Sequence, residues 1–290
     1  MRQAAIIDVG SNSIRYACGG VEGGQALLEP KRLAATRLAE GLSQSGRLGE
    51  IPMQRSLRAL AEFAADANMR GLPVYAYATS AVRDSGNQAD FCRQVEALGI
   101  ELTVLSGEEE ARLALLGAAG GEGGLMDIGG GSTQLIRRGF IHSAPIGCVR
   151  ARELCAGAGN LAQMKGLVYA RCQELLRFPA EKSQDYVGVG GTITTIAALM
   201  LGLAAYDGEK VRAMPICHTA LDELVGWLYD IGEAGRRAHP LLADRADTIL
   251  PGALILTFLL ARTGVGELRV SDRDGMEGYL LHRLGGGRPG

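Results

Sequence analysis

One pattern occurs twice in this chain and constrains it more than any other feature. The first copy is Ile6-Ile7-Asp8-Val9-Gly10-Ser11-Asn12-Ser13-Ile14-Arg15-Tyr16. The second is Leu125-Met126-Asp127-Ile128-Gly129-Gly130-Gly131-Ser132-Thr133-Gln134-Leu135-Ile136. In each, an apolar run reaches an Asp, crosses a Gly/Ser turn and resumes as a second apolar run, which predicts a hairpin. The copies stand about 120 residues apart, far beyond the period of a solenoid repeat, so they predict duplicated domains. A chain of 290 residues is long enough for two cores.

Between the copies the pattern alternates. Helical spacing runs over Ser56 to Arg70, Asp90 to Leu98 and Glu108 to Ala118, and strand-like runs cover Pro73 to Ala78 and Leu102 to Leu105. The glycine-rich run 120–124 reads as a flexible hinge joining lobes. Beyond the second copy, helices are predicted at Ala151–Leu154, Leu161–Leu176, Thr192–Leu203, Thr219–Tyr229, Asp244–Arg262 and Met276–Leu284. Strands are predicted at Tyr186–Val189 and Glu267–Val270. Strand and helix alternate in both halves, so the class is α/β.

Composition narrows the functional classes. A net charge of -2 provides no basic field for nucleic acid, so a polyanion would have to be gripped locally. No apolar stretch is long enough to span a bilayer, and the first residues lack a signal-peptide pattern, so no membrane association and a cytoplasmic location are expected. The six cysteines are scattered without a CxxC pair and read as reduced, mostly buried residues. The four histidines are too dispersed for a metal cluster.

The turns carry the chemistry. Glycine lets successive backbone N–H groups converge on phosphate oxygens, here at Gly10, Ser11, Asn12 and Ser13 and at Gly129, Gly130, Gly131, Ser132 and Thr133. The hydroxyls of Ser11, Ser13, Ser132 and Thr133 add donors. Asp8 and Asp127, at the strand ends, supply hard oxygen ligands for a divalent cation. Each turn alone reads equally well as a plain hairpin; two copies with the same Asp placement favour function. A third element, Val187-Gly188-Val189-Gly190-Gly191-Thr192, passes from strand through paired glycines into a helix whose N-terminus suits an anion. Neither a Walker GxxxxGK[ST] sequence nor a GxGxxG fingerprint is present.

Further segments occur in a fixed order with these. They are Arg37-Leu38 with Gly41-Leu42, Ala78-Thr-Ser-Ala-Val-Arg-Asp84, Ser106-Gly-Glu-Glu-Glu-Ala-Arg112, Arg245-Ala-Asp247 with Gly252, and Ser271-Asp272 with Glu277-Gly278. Over nearly the whole chain the set resembles the exopolyphosphatase/guanosine pentaphosphate (pppGpp) phosphatase family, in its short form. The resemblance implies two RNase H-like lobes of the actin/Hsp70/sugar-kinase superfamily with an interdomain cleft. The lobes would be residues 1–121, with a terminal helix near 276–290 packing back on them, and residues 122–275. It also implies a hydrolase that removes terminal phosphate from inorganic polyphosphate or the 5′ phosphate of pppGpp, with Mg²⁺ or another divalent cation shared by Asp8 and Asp127, and a homodimer.

The family's catalytic glutamate matches Glu110, which would take or orient the water proton. Glu108 and Glu109 read as an acidic helix start favoured by the dipole. Arg83 fits a phosphate clamp, with Arg15 as a second cation or an exposed strand arginine. One departure stands out: the glutamate usual after Gly-Gly-Gly-Ser-Thr is Gln134 here. An amide can donate to a phosphate oxygen or orient water, but it cannot accept a proton. Two further readings follow, a weakly active or non-catalytic polyphosphate or alarmone binder and an ATPase or kinase of the same fold.

Overall fold

Strand β1 (Gln3–Val9) is buried at every residue but the first, because Ala4, Ala5, Ile6, Ile7 and Val9 serve two apolar faces. It pairs antiparallel with β2 (Ile14–Glu22), which continues through β3 (Gln25–Leu28) and β4 (Arg32–Ala34). The chain then forms α1 (Leu42–Ser45) and α2 (Glu50–Met69). Next come β5 (Val74–Ala78), α3 (Ser80–Arg83), α4 (Gln88–Glu96), β6 (Glu101–Val104) and α5 (Gly107–Ala119). The sheet order is β3-β2-β1-β5-β6, with β5 and β6 parallel to β1 and β4 hydrogen-bonded to β2. Three antiparallel strands followed by two parallel crossovers is the RNase H arrangement.

The side-chain period of two sorts β1 into faces. Tyr16, paired with Ile7, stacks on Phe63 of α2 with ring centroids 4.9 Å apart. Ala4, Ile6, Ala17 and Tyr77 instead form a core with Leu113 of α5, Met276 and Tyr279. Asp8 shares this second face by parity, opposite Arg15 and Tyr77.

The computed structural model describes residues 2–137, 140–178, 185–212 and 214–285. These divide into two units, Met1–Gly121 with Arg273–Gly290, and Glu122–Asp272. In the second, β7 (Gly124–Ile128), β8 (Thr133–Arg137) and β9 (Phe140–Ala144) form the antiparallel meander. They are followed by α6 (Cys148–Cys155), α7 (Leu161–Leu175), β10 (Tyr186–Val189), α8 (Gly190–Met200), α9 (Gly208–Val211) and β11 (Pro215–Cys217). Helices α10 (His218–Asp230), α11 (Gly232–Ala238) and α12 (Ile249–Thr263) precede β12 (Glu267–Val270). The order β11-β12-β10-β7-β8-β9 repeats the first sheet's plan, with parallel pairing of β7, β10 and β12 and an antiparallel edge strand β11. Helix α12 is buried at almost every residue, the core helix of this unit.

The chain returns to the first unit as α13 (Gly275–Leu284). The expected terminal helix near 276–290 extends past this, and residues 286–290 lie outside the described residues. Helices α5 and α13 cross with their backbones in contact. A Cβ on Gly117 would lie 1.9 Å from the Asp274 carbonyl oxygen, and one on Gly278 would lie 1.9 Å from that of Leu113.

Several predicted boundaries shift. Helix α2 begins at Glu50 rather than Ser56, because Pro52 sits in the first turn, where its missing N–H has no intrahelical partner to lose. Helix α8 begins at Gly190 and ends at Met200, ahead of Gly202 in the left-handed region. The predicted helix at Asp244–Arg262 splits into a 3-10 turn at Ala243–Arg245 and α12. The glycine run after α5 is a tight turn, with Gly120, Gly121 and Gly123 at positive φ and Gly124 opening β7. Strands β3, β4, β9 and β11 add to those predicted.

Candidate active site

The two Asp-Gly-Ser turns have the same backbone geometry. Gly10 N–H donates to the Ser13 carbonyl at 3.1 Å, and Gly129 N–H donates to that of Ser132 at 3.0 Å. Both turns have carbonyls tied off from outside. Arg37 and Ala39 N–H groups donate to Asn12 and Ser11, and the N–H groups of Cys148 and Val149, at the start of α6, donate to Gly129 and Gly130.

In the first unit, Ser11 hydrogen-bonds through its hydroxyl to that of Ser80 at 3.0 Å, which joins the turn to α3. Arg83, the last residue of α3, donates from Nη1 to the Leu105 carbonyl at 3.0 Å and to Glu110 Oε2 at 3.1 Å. The three consecutive glutamates of α5 therefore part company. Glu109 closes a capping box with Ser106: its N–H donates to Ser106 Oγ, and its carboxylate accepts from the Ser106 N–H at 2.8 Å. That hydrogen bond holds its pKa below the usual carboxylate value. Glu108 is exposed, and Glu110 alone is half-buried against the arginine.

Asp8 and Arg15 belong to a second cluster. Arg15 donates to Asp8 Oδ2 from Nε at 2.9 Å and again from Nη2, and to Asp274 Oδ2 from Nη1. Lys31 pairs with Asp274 at 3.4 Å and with Glu277 at 3.1 Å. The carboxylates are all at least nine-tenths buried. Burial pushes the pKa of Asp8 up against the opposing pull of Arg15. Burial acts the same way on Asp274, but Arg15 and Lys31 together outweigh it and hold that carboxyl well below its usual range. Burial also raises Tyr77, and the neighbouring Asp8 charge raises it further. Arg15 is thus held on both sides by carboxylates rather than standing as an exposed strand arginine. Sequence reasoning did not single out Asp274, Lys31 or Ser80. Nothing local marks a partnership such as Arg15 with Asp274, whose two residues are 259 positions apart.

In the second unit, Asp127 pairs in register with Gln134 across β7 and β8. Gly190 packs against Asp127, since a Cβ there would lie 2.4 Å from Asp127 Oδ1, and its φ of +86° also demands glycine. A Cβ on Gly191 would lie 2.3 Å from a guanidinium nitrogen of Arg245, which brings that arginine to the start of α8. Thr192 is buried against Gly252 and Cys148. The Thr133 hydroxyl donates to the Ile146 carbonyl and turns inward. Gln134 is fully buried. Its Nε2 donates to Ser132 Oγ at 2.8 Å and Ser143 Oγ at 3.4 Å, while Oε1 has no hydrogen-bond partner among the described residues.

The donor sets differ in their fit to a divalent cation. No group of three or more His, Cys, Asp or Glu side chains that could hold a metal ion is found among the described residues. Mg²⁺ commonly keeps several waters and uses one or two carboxylates beside substrate phosphates. Half-buried Asp127, at the end of β7, suits that mode. In the other unit, Asp8 has one oxygen taken by the Arg15 guanidinium.

An RNase H-like sheet in each unit, each with a matched Asp-Gly-Ser turn, defines a protein of the actin/Hsp70/sugar-kinase fold class. The chain belongs to the Ppx/GppA phosphatase family, whose model matches residues 22–285, and so to a family of phosphohydrolases. It is 31% identical to exopolyphosphatase 2 of Mycobacterium tuberculosis, over 98% of this chain and 99% of that one. The crystal structure of the Aquifex aeolicus family member superposes with a TM-score of 0.78 at 26% identity, covering 97% of each chain. An exopolyphosphatase from Cytophaga hutchinsonii, 22% identical, shares the fold with a TM-score of 0.87 over 100% of both chains. Among the described residues, no helix is long and apolar enough to cross a membrane.

Proposed function

We propose that this protein hydrolyses the terminal phosphoanhydride of inorganic polyphosphate, with the 5′ phosphate of pppGpp as the second substrate to test. The observation that carries this reading is the Arg83–Glu110 pair joined through α3 and Ser80 to the Ser11 turn, in a chain similar over its whole length to an exopolyphosphatase. Glu110 accepts a proton from the attacking water as the terminal phosphorus–bridging oxygen bond breaks. Inorganic phosphate and a chain shorter by one phosphate result. Arg83 spends Nη1 on Leu105 and Glu110 and Nε on Asp84, so Nη2 remains to meet a phosphoryl oxygen while Glu110 stays in place. The Ser11 turn supplies backbone donors, and Arg15 adds fixed positive charge. Mg²⁺, for which Asp8 and Asp127 are the candidate ligands, would offset the charge of the phosphate chain when bound.

Release of phosphate from polyphosphate, pppGpp and ATP, each with and without Mg²⁺, tests this reading. Release from polyphosphate that chelation abolishes supports it, and release from ATP alone defeats it. Tight polyphosphate binding without release would favour a sensor, a reading motivated by Gln134. Gln134→Glu probes that position directly. The Ser132 and Ser143 hydroxyls can turn to donate to the new carboxylate. The expected result is faster turnover with weaker binding, because a second negative charge then stands opposite Asp127. Unchanged rate and affinity would make the position irrelevant.

A further inference from the structure

The geometry points to Asp274 as a positioning residue that locks Arg15 for phosphate binding, an inference that rests on the phosphohydrolase reading. Arg15 has five N–H donors. Three are used, two on Asp8 and one on Asp274, from Nε, Nη2 and Nη1 respectively for the two carboxylates. Carboxylates grip the guanidinium from opposite ends of the chain, one on β1 and one at the N-cap of α13. Its side chain is nonetheless 23% exposed. A fully charged group so held loses little rotamer freedom on meeting an anion, so its remaining donors act as a preset contact.

Asp274 is itself fixed by three independent ties. Its Oδ1 caps α13 by accepting from the Met276 N–H at 3.0 Å, and its own N–H donates to Glu277 Oε2 at 2.8 Å. Lys31 stands against both carboxylates. The α5–α13 glycine contact then sets the helix start to within the tolerance of two touching backbones. A residue needed only as a helix cap would not require the second oxygen on Arg15. Within the described residues, Asp8, Asp274 and Glu277 carry three potential negative charges against the two positive charges of Arg15 and Lys31.

The test is a double-mutant cycle between Asp274→Asn and Arg15→Gln, read by steady-state phosphate release from polyphosphate. Asparagine caps helices as well as aspartate does, so the variant keeps α13 while removing the charge that holds Arg15. Asp274→Ser, also a good cap, serves as the second variant should the first lower the melting temperature. Asp274→Asn is expected to raise KM about tenfold, the loss of one charge-assisted contact, with kcat nearly unchanged. In the Arg15→Gln background the same change should add less than about twofold. An unchanged KM, or a full effect that persists without Arg15, overturns the inference while leaving the phosphohydrolase reading intact. A parent chain that releases no phosphate from polyphosphate overturns that reading and this inference with it.

Discussion

Glu110→Gln is expected to lower kcat for phosphate release from polyphosphate by about a hundredfold or more and to leave KM within a few-fold. Removing a general base typically costs that much, since the water must then lose its proton without help in the transition state. Substrate binding persists because the amide is isosteric and can still accept a hydrogen bond from Arg83, whose Nη1 also holds the Leu105 carbonyl. Glutamate-to-glutamine changes at Glu108 and Glu109 act as controls. Glu108 is exposed, and Glu109 is spent on the capping box, so neither should alter turnover more than a few-fold. Full activity in Glu110→Gln would place the base elsewhere. An equal loss in all three variants would mean that only the helix start had been disturbed.

The second large effect is on stability. Gly278→Ala should destabilise the protein by about 3 kcal/mol, the upper end for overpacking a well-filled contact. The new methyl would lie 1.9 Å from a backbone oxygen and 2.7 Å from the Leu113 carbonyl carbon, so no side-chain rotation relieves it and the helices must separate. Thermal denaturation should register a drop of roughly 6–12 °C. Gly166→Ala in α7 is the matched control. A Cβ there meets nothing within 4 Å, and the substitution should stabilise by about 0.5–1 kcal/mol through helix propensity. Activity should fall with Gly278→Ala as well, because α5 carries Glu110 and Asp274 caps the start of α13. An unchanged melting temperature would show that the two helices do not meet in solution as they do here.

The two turns illustrate how far the residues speak for themselves. Their hairpins, their shared Asp placement and the alternation of strand and helix around them are local periodicities, and local periodicities survive in a linear reading. The ordered motifs from Ala78 to Asp84 and Ser106 to Arg112 likewise marked Arg83 and Glu110 as candidates, and the structure places them 3.1 Å apart. The same reading made Thr133 a phosphate contact and Gln134 a catalytic position. In the fold, the first is turned onto the Ile146 carbonyl and the second onto two serines. A residue in a strand points to one face or the other by parity, and which face lies next to a neighbouring loop is decided by the sheet's partners.

By itself the sequence determined the α/β class and the duplication, because each rests on residue types at short spacing, and its ordered motifs carried the family resemblance that implied the candidate base and clamp. Only the tertiary structure decided what the charged groups do. Arg15 read as a second phosphate cation or an exposed strand arginine, and the fold holds it between Asp8, opposite it on β1, and Asp274 on its other side. Likewise, Gly117 and Gly278 became indispensable only where two distant helices touch. Electrostatic partnership and steric exclusion depend on distance in space, and chain separation conceals that distance wherever strands and helices from opposite ends of the molecule meet.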